Sequence, residues 1–206
     1  MKRETFISGS AIIYPHVKIG EGARIEDYCI IGAPLADGSQ PETFIGSHCH
    51  LRAMTIIYAG NHIGDHFQTG NKANIRENNK IGHRVSIGTL SIVEHSVVIE
   101  DDVRIHSGAF IPEYSRLEKG SWVGPHVVFT NAKIPLHPDA KKSLRGPLLR
   151  PRSIIGANST ISPGVEIGEE ALVGSGSNVT KNVEAHSIFY NPQRTSLKPR
   201  SNKGAS

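Results

Sequence analysis

Cut into sixes, residues 75–129 read IRENNK-IGHRVS-IGTLSI-VEHSVV-IEDDVR-IHSGAF-IPEYSR-LEKGSW-VGPHVV-F, and each cut falls on an aliphatic residue until Phe129 closes the run. The same anchor extends outward on both sides. Upstream it occupies Ile7, Ile13, Ile19, Ile25 and Ile31, then Ile45, Leu51, Ile57 and Ile63; downstream it returns at Ile155, Ile161, Ile167, Val173 and Val179. The residue four beyond the anchor is usually small, as at Ala73, Ser91, Ala109 and Ser121, and Gly commonly follows the anchor, as at Gly64, Gly82, Gly88 and Gly156. A period of six sustained over most of a chain is the repeat signature of a parallel β-helix.

The spacing explains itself physically. A period of two would mark a half-buried strand and 3.6 a helix. Here one inward side chain returns per short strand, and the Gly, Asp and Asn positions are expected to let the backbone turn between strands. Three hexapeptides then make one triangular coil of about 18 residues, stacked roughly 4.8 Å from the next. Each coil buries its faces only against its neighbours, so stability comes from repetition. Thr69, Asn61 and Asn79 depart from the pattern and mark either loosened packing or a site.

Composition agrees with an all-β solenoid. The chain has 206 residues, 21 Gly, 12 Pro and only 6% aromatics, enough for one domain and rich in turn formers. No apolar run is long enough to span a bilayer and no signal-like segment follows Met1, so a cytoplasmic protein without a membrane partner is expected. Cys29 and Cys49 fall at the small-residue position and read as reduced core fillers. The net charge of +4 is mild and scattered, which argues against a nucleic-acid partner.

Two segments break the repeat: residues 33–44 (APLADGSQPETF) and 132–153, a longer excursion rich in Lys and Arg. Long loops inside compact repeats often carry function. The expected organisation is a solenoid over 1–184 and, over 185–206, a cap for the last coil followed by a flexible basic tail.

Coil arithmetic also gathers a site. Glu77, His95, Glu113 and Asn131 are successively 18 apart, so they project from one corner, one per layer, and the basic loop leaves immediately after Asn131. A His between two carboxylates is held protonatable and oriented, as a general base for an amine must be. His95 is therefore the candidate base, with Glu113 or Glu77 orienting it and Arg76, Glu77 and Asn131 binding the acceptor. His106 is the competing candidate.

The hexapeptide pattern resembles the left-handed β-helix acyltransferases over nearly the whole chain, and the left hand is taken from that family. The segments Gly156-Ala157-Asn158, Pro163 to Gly168, Val173 to Val183 and Asn191-Pro192-Gln193-Arg194 are similar to their coenzyme A-binding end. Gly124 to Asn131 is similar to a run in amino-sugar-nucleotide N-acetyltransferases, and Val93-Glu94-His95 to the segment that carries the catalytic His in one branch of them. The resemblance implies acetyl-CoA as co-substrate and no metal. It puts Ala157 and Ser175 against the pantetheine arm through their backbones, and Thr180, Lys181 and Arg194 toward the nucleotide end. It also implies a homotrimer with active sites between solenoids. Asn-Pro-Gln-Arg departs from the family's usual Gly-Asn-Pro-Ala-Arg, with Tyr190 where Gly is common, and His106 and Ser107 stand where relatives often have amides.

The implied function is N-acetylation of the amino group of a nucleotide-linked amino sugar for surface polysaccharide. An O-acetyltransferase on the same fold would share every coenzyme A feature but depend strictly on a base. A zinc enzyme of the carbonic-anhydrase type would draw on pairs such as His62/His66 and His48/His50, without a convincing third ligand. A scaffold solenoid would have no reason to set a basic loop beside a polar corner.

Overall fold

With one inward anchor per six residues, a strand need only be long enough to present it, and most strands are two residues long. The computed structural model describes residues 4–190. Their strands form three parallel sheets. The first face has ten strands from Phe6–Ile7 to Ile188–Phe189, the second nine from Ile12–Ile13 to Asn178–Val179, and the third eight from Val17–Ile19 to Glu166–Ile167. Partners are 18 apart through the middle of the chain: Thr69 with Ile87, Ile75 with Val93, Ile81 with Ile99. The architecture is the expected parallel β-helix. Among the described residues no helix is long and apolar enough to cross a membrane.

The anchors stack into three buried ladders. On the second face the ladder runs Ile31, Ile57, Ile75, Val93, Ile111, Phe129, Ile161 and Val179, none more than 0% exposed. Fully burying one such side chain is worth about 1.5–3 kcal/mol, so a ladder of eight dominates the stability of its face. Cys29 and Cys49 are free and buried. Burial pushes the Cys49 thiol up to about 11, which leaves it an inert filler.

The corners turn differently from the expectation. The left-handed backbone position is three residues past the anchor, and it is mostly not glycine: Met54, Lys72, Asn78, Leu90, Ser96 and Tyr114 all have φ between 58° and 64°. The strain is offset by a bond to the coil below, as in Lys72 N–H to the Ala53 carbonyl at 3.0 Å and Ser96 N–H to the Glu77 carbonyl at 3.2 Å. The glycine that follows the anchor serves another purpose. A Cβ on Gly64 would lie 2.7 Å from the Gly82 carbonyl carbon, and one on Gly88 would lie 2.3 Å from the Ser107 nitrogen. Those glycines let successive coils approach; they do not make the turn.

The interruptions are also narrower than the repeat suggested. Ile30 pairs with Ile56, 26 residues on, because the first loop is bulged out of one coil between Ala33 and Thr43. The second loop ends sooner than 153. Leu148–Leu149 is a strand that pairs with Arg116–Leu117 and with Glu166–Ile167. Leu149 is a buried anchor; a forward count of sixes from Phe129 misses it because the loop shifts the phase, but it lies six before Ile155. At the C-terminal end, Ile188–Phe189 pairs with Leu172–Val173, so coil stacking continues beyond 184.

The polar departures are satisfied inside the core. Thr69 Oγ1 lies 2.8 Å from Thr55 Oγ1 and accepts from the Arg52 N–H. Asn61 and Asn79, both fully buried, form an amide ladder. Each donates to the Arg76 carbonyl at 2.8 Å, Asn61 Oδ1 accepts from the Asn79 N–H, and Asn79 Oδ1 accepts from the Val97 N–H at 2.7 Å. The ladder holds the backbone at the start of the polar corner.

Candidate functional site

The edge between the second and third faces carries the row picked out by the 18-residue spacing. Val93 pairs with Ile111, and Phe110 with Val128, so His95, Glu113 and Asn131 rise one above another. Asn131 Nδ2 donates to Glu113 Oε2 at 2.6 Å, and the other oxygen, Oε1, lies 3.7 Å from His95 Nε2. His95 Nδ1 is 3.2 Å from Ser96 Oγ, and the ring meets Tyr114 edge-on at 5.7 Å. His95 and Glu113 side chains are 31% and 25% exposed, shielded but reachable.

One layer below, Arg76 clasps Glu77 with two bonds, Nε to Oε2 at 2.9 Å and Nη2 to Oε1 at 3.1 Å. Its guanidinium also lies 5.0 Å from the Tyr58 ring centre and 3.8 Å from Glu94 Oε2. Burial alone would raise the Glu77 carboxyl, but the bonds from Arg76 overcome it and hold Glu77 below the usual carboxylate range. Glu94 goes the other way. Burial pushes it up, Arg76 offsets only part of that, and the Glu113 and Glu77 charges add to the rise. The corner thus pairs a committed ion pair with a carboxyl that resists ionisation.

Glu94, Ser96, Tyr58 and Tyr114 were not singled out as site residues by the sequence. A signal existed for two of them: Tyr58 and Glu94 sit one past the anchors Ile57 and Val93, in the same column as Arg76. The basic loop does belong to this edge, for it returns with the Arg145 N–H bonded to the Asn131 carbonyl at 2.8 Å. Within it, Ile134 and Leu136 are 64% and 97% exposed.

His106 lies on a different edge, between the first and second faces. Its ring packs 4.6 Å from that of Trp122, and burial, then the neighbouring Arg104 charge, hold it below the ordinary histidine value. It borders a groove of about 220 Å³ lined by Arg52, Gly70, Gly88 and Thr89. Ala157 and Ser175 are on this same edge, above His106. Thr180 and Lys181, both exposed, are on the His95 edge instead, because they follow Val179 of the second face. The expected cofactor residues are therefore divided between two edges of one prism, and Arg194 lies outside the described residues. A concavity of about 820 Å³ lies on the third face beside His62, Lys80 and Glu100, away from both sets.

Between the two edges lies the second face, and its outer surface is apolar. Ile12, Ile92 and Val128 are 53%, 37% and 40% exposed, with Ile30, Ile56 and Phe110 part-buried in the same stripe. Asn74 interrupts it, its Oδ1 buried and without a hydrogen-bond partner.

Comparison with known proteins finds likenesses in sequence and in fold. The hexapeptide repeat of succinyl-transferase matches residues 152–181. The bifunctional protein GlmU of Streptococcus uberis is 28% identical over 196 residues, covering 95% of this chain and 34% of its own length. GlmU of Halalkalibacterium halodurans is 30% identical over 157 residues, covering 71% and 34%. The chain thus spans about a third of the length of these curated relatives. Among solved structures, a Bacillus cereus protein provisionally described as an acetyltransferase superposes with a TM-score of 0.52 at 16% identity, covering 80% of each chain, a likeness of fold. The chain therefore carries a hexapeptide repeat, matched by a family model over residues 152–181, on the parallel β-helix described above.

Proposed function

We propose that the chain is a cytoplasmic, acetyl-CoA-dependent N-acetyltransferase acting on the amino group of a nucleotide-linked amino sugar, and that it works as a homotrimer. The observation that carries this reading is the chain Asn131–Glu113–His95, exposed at the edge where the basic loop leaves and returns. Asn131 fixes one oxygen of Glu113, and the other faces His95 Nε2. An imidazole so oriented can take the proton of an attacking amine while the carboxylate stabilises the imidazolium. The amine attacks the thioester carbonyl, the oxyanion collapses, and thiolate leaves. Lys133, Lys141, Lys142 and Arg145 on the loop supply charge for acceptor phosphates.

The division of residues between edges supports the trimer. Three copies that bury the apolar second face around a threefold axis bring the first–second edge of one beside the second–third edge of the next. Ala157 and Ser175 of one copy would then line the donor channel that opens on His95 and Lys181 of its neighbour. Stacked carbonyls and N–H groups at a corner suit the pantetheine amides, and Lys181 suits the phosphates.

The test is release of free thiol from acetyl-CoA across a panel of amino-sugar nucleotides. Turnover of at least one is expected, with His95→Ala reducing kcat by about 10²–10⁴-fold. No turnover with any amine, or full activity in His95→Ala, refutes the assignment. The same His–Glu pair is what a hydroxyl acceptor would need, so O-acetylation is the second reading. Acetyl transfer to a deaminated, hydroxyl-bearing analogue in preference to the amine would select it.

A further inference from the structure

Ser96 occupies the left-handed apex one residue past His95, with φ 58°. Its hydroxyl oxygen is 3.2 Å from His95 Nδ1, while His95 Nε2 faces the Glu113 carboxylate. A ring nitrogen turned toward a carboxylate carries the proton, so Nε2 is the N–H and Nδ1 holds the lone pair. Nδ1 is then the acceptor for the Ser96 hydroxyl. Nδ1 is therefore engaged within the protein, and Nε2 is turned toward the Glu113 carboxylate at 3.7 Å, outside hydrogen-bond distance. The group that still has lone pairs to offer an incoming acceptor is Ser96 Oγ.

We propose that Ser96 is a catalytic residue, the relay through which His95 takes the acceptor's proton. The inference rests on the general-base reading of His95 given above. As the acceptor nitrogen bonds to the acetyl carbon, its N–H proton passes to Ser96 Oγ, and the hydroxyl proton passes to His95 Nδ1. The tetrahedral intermediate collapses with cleavage of the C–S bond. The imidazolium, held beside Glu113, then returns its proton to the departing thiolate by the same path. The hydroxyl ends as it began, so no group is consumed and no other reactant is needed. Asn131 holds Glu113, Glu113 fixes the tautomer, and Ser96 makes contact with the substrate.

The experiment compares Ser96→Ala, Ser96→Gly, Ser96→Cys and His95→Ala in the full-length protein, measuring kcat, KM for acetyl-CoA and the solvent-isotope proton inventory. Glycine relieves the φ 58° strain, so Ser96→Gly folds at least as well as the parent and separates chemistry from misfolding. The expected result is a loss of about 10²-fold in kcat for both Ala and Gly. KM for acetyl-CoA should stay nearly unchanged. The proton inventory should change from bowed to linear as one of two protons in flight is lost. Ser96→Cys should recover part of the rate. If Ser96→Ala and Ser96→Gly keep parental kcat while His95→Ala loses it, the imidazole acts directly and the relay is wrong although the base stands. Full activity in His95→Ala overturns both. A stable acetyl adduct on Ser96 after mixing with acetyl-CoA alone, read by intact mass, also overturns the relay, because the hydroxyl would then be a nucleophile.

Discussion

Replacing Asn79 should loosen the corner that carries Arg76 and Glu77, and the magnitude can be worked from its bonds. Its amide makes two contacts inside the core: Nδ2 to the Arg76 carbonyl at 2.8 Å and Oδ1 from the Val97 N–H at 2.7 Å. In Asn79→Ala the Arg76 carbonyl keeps its bond from Asn61, so one group, the Val97 N–H, is left buried and unpaired. An orphaned buried donor costs about 1–3 kcal/mol, and the truncated side chain leaves a void that adds about 1 kcal/mol. The expected loss is therefore about 2–4 kcal/mol. Asn79→Val separates the two terms. Val97 occupies the same position one coil up and is fully buried there, so valine fills the space and only the orphan remains, about 1–3 kcal/mol. Urea denaturation measures this directly: with slopes of roughly 1–3 kcal/mol per molar, the Ala midpoint should fall by about 1 M or more and the Val midpoint by less. A valine variant as stable as the parent would refute the argument, since the amide would then be ornamental.

Other expected outcomes follow from the same coordinates. Glu94 is pushed up by burial, so ionising it opposes folding. The penalty is absent when the carboxyl is protonated in both states and grows as pH rises past the ordinary value of 4.5. Glu94→Gln should therefore raise Tm at pH 7 and leave it unchanged near pH 4. Glu77 has the opposite sign: held low by Arg76, it stabilises above pH 4.5 and loses that contribution as pH falls through its folded value, so Glu77→Gln should lower Tm at neutral pH. Gly64→Ala drives a Cβ to 2.7 Å from the Gly82 backbone and should cost about 1–3 kcal/mol. Lys72→Gly, at φ 59° on an exposed corner, should gain about 0.5 kcal/mol, measured by thermal denaturation. Ile92→Glu on the second face should shift the sedimentation profile from trimer to monomer and abolish acetyl transfer together; an active monomer refutes the composite site.

The fold was legible because one position in six is under a strong constraint, and Ile75 to Phe129 meets it without a gap. Where the constraint fails, legibility fails with it. Leu149 was missed by the forward count because a loop of non-multiple length resets the phase after Phe129, although counting back six from Ile155 reaches it. Glycine was assigned the turn from its usual conformational role, yet the pressure at Gly64 comes from the coil above, a contact that linear order does not display. The row from Glu77 to Asn131 was legible since it needs only the 18-residue coil. The separation of His106, Ala157 and Ser175 from His95 was available by the same arithmetic: 95 and 106 differ by 11, which is not a whole coil, whereas 157 and 106 share an edge once the second loop is discounted. Ser96 was hidden for a different reason, because its importance lies in which ring nitrogen it touches.

This arrangement frees the edge rows to carry chemistry. The anchors satisfy the hydrophobic requirement, and each coil depends mainly on its immediate neighbours. A residue two past the anchor, such as His95 or Glu113, contributes little to that core and is replaceable at small cost. The corner backbone cannot drift in response, since the Arg76 carbonyl is held by two buried amides and the Ser96 N–H by the coil beneath. Side chains on such an edge are therefore spaced by strand pairing to about 4.8 Å, close enough to pass a proton and too rigid to collapse onto one another. The 3.7 Å gap between His95 and Glu113 follows from that spacing, and it leaves the imidazole room to tighten onto the carboxylate as charge develops.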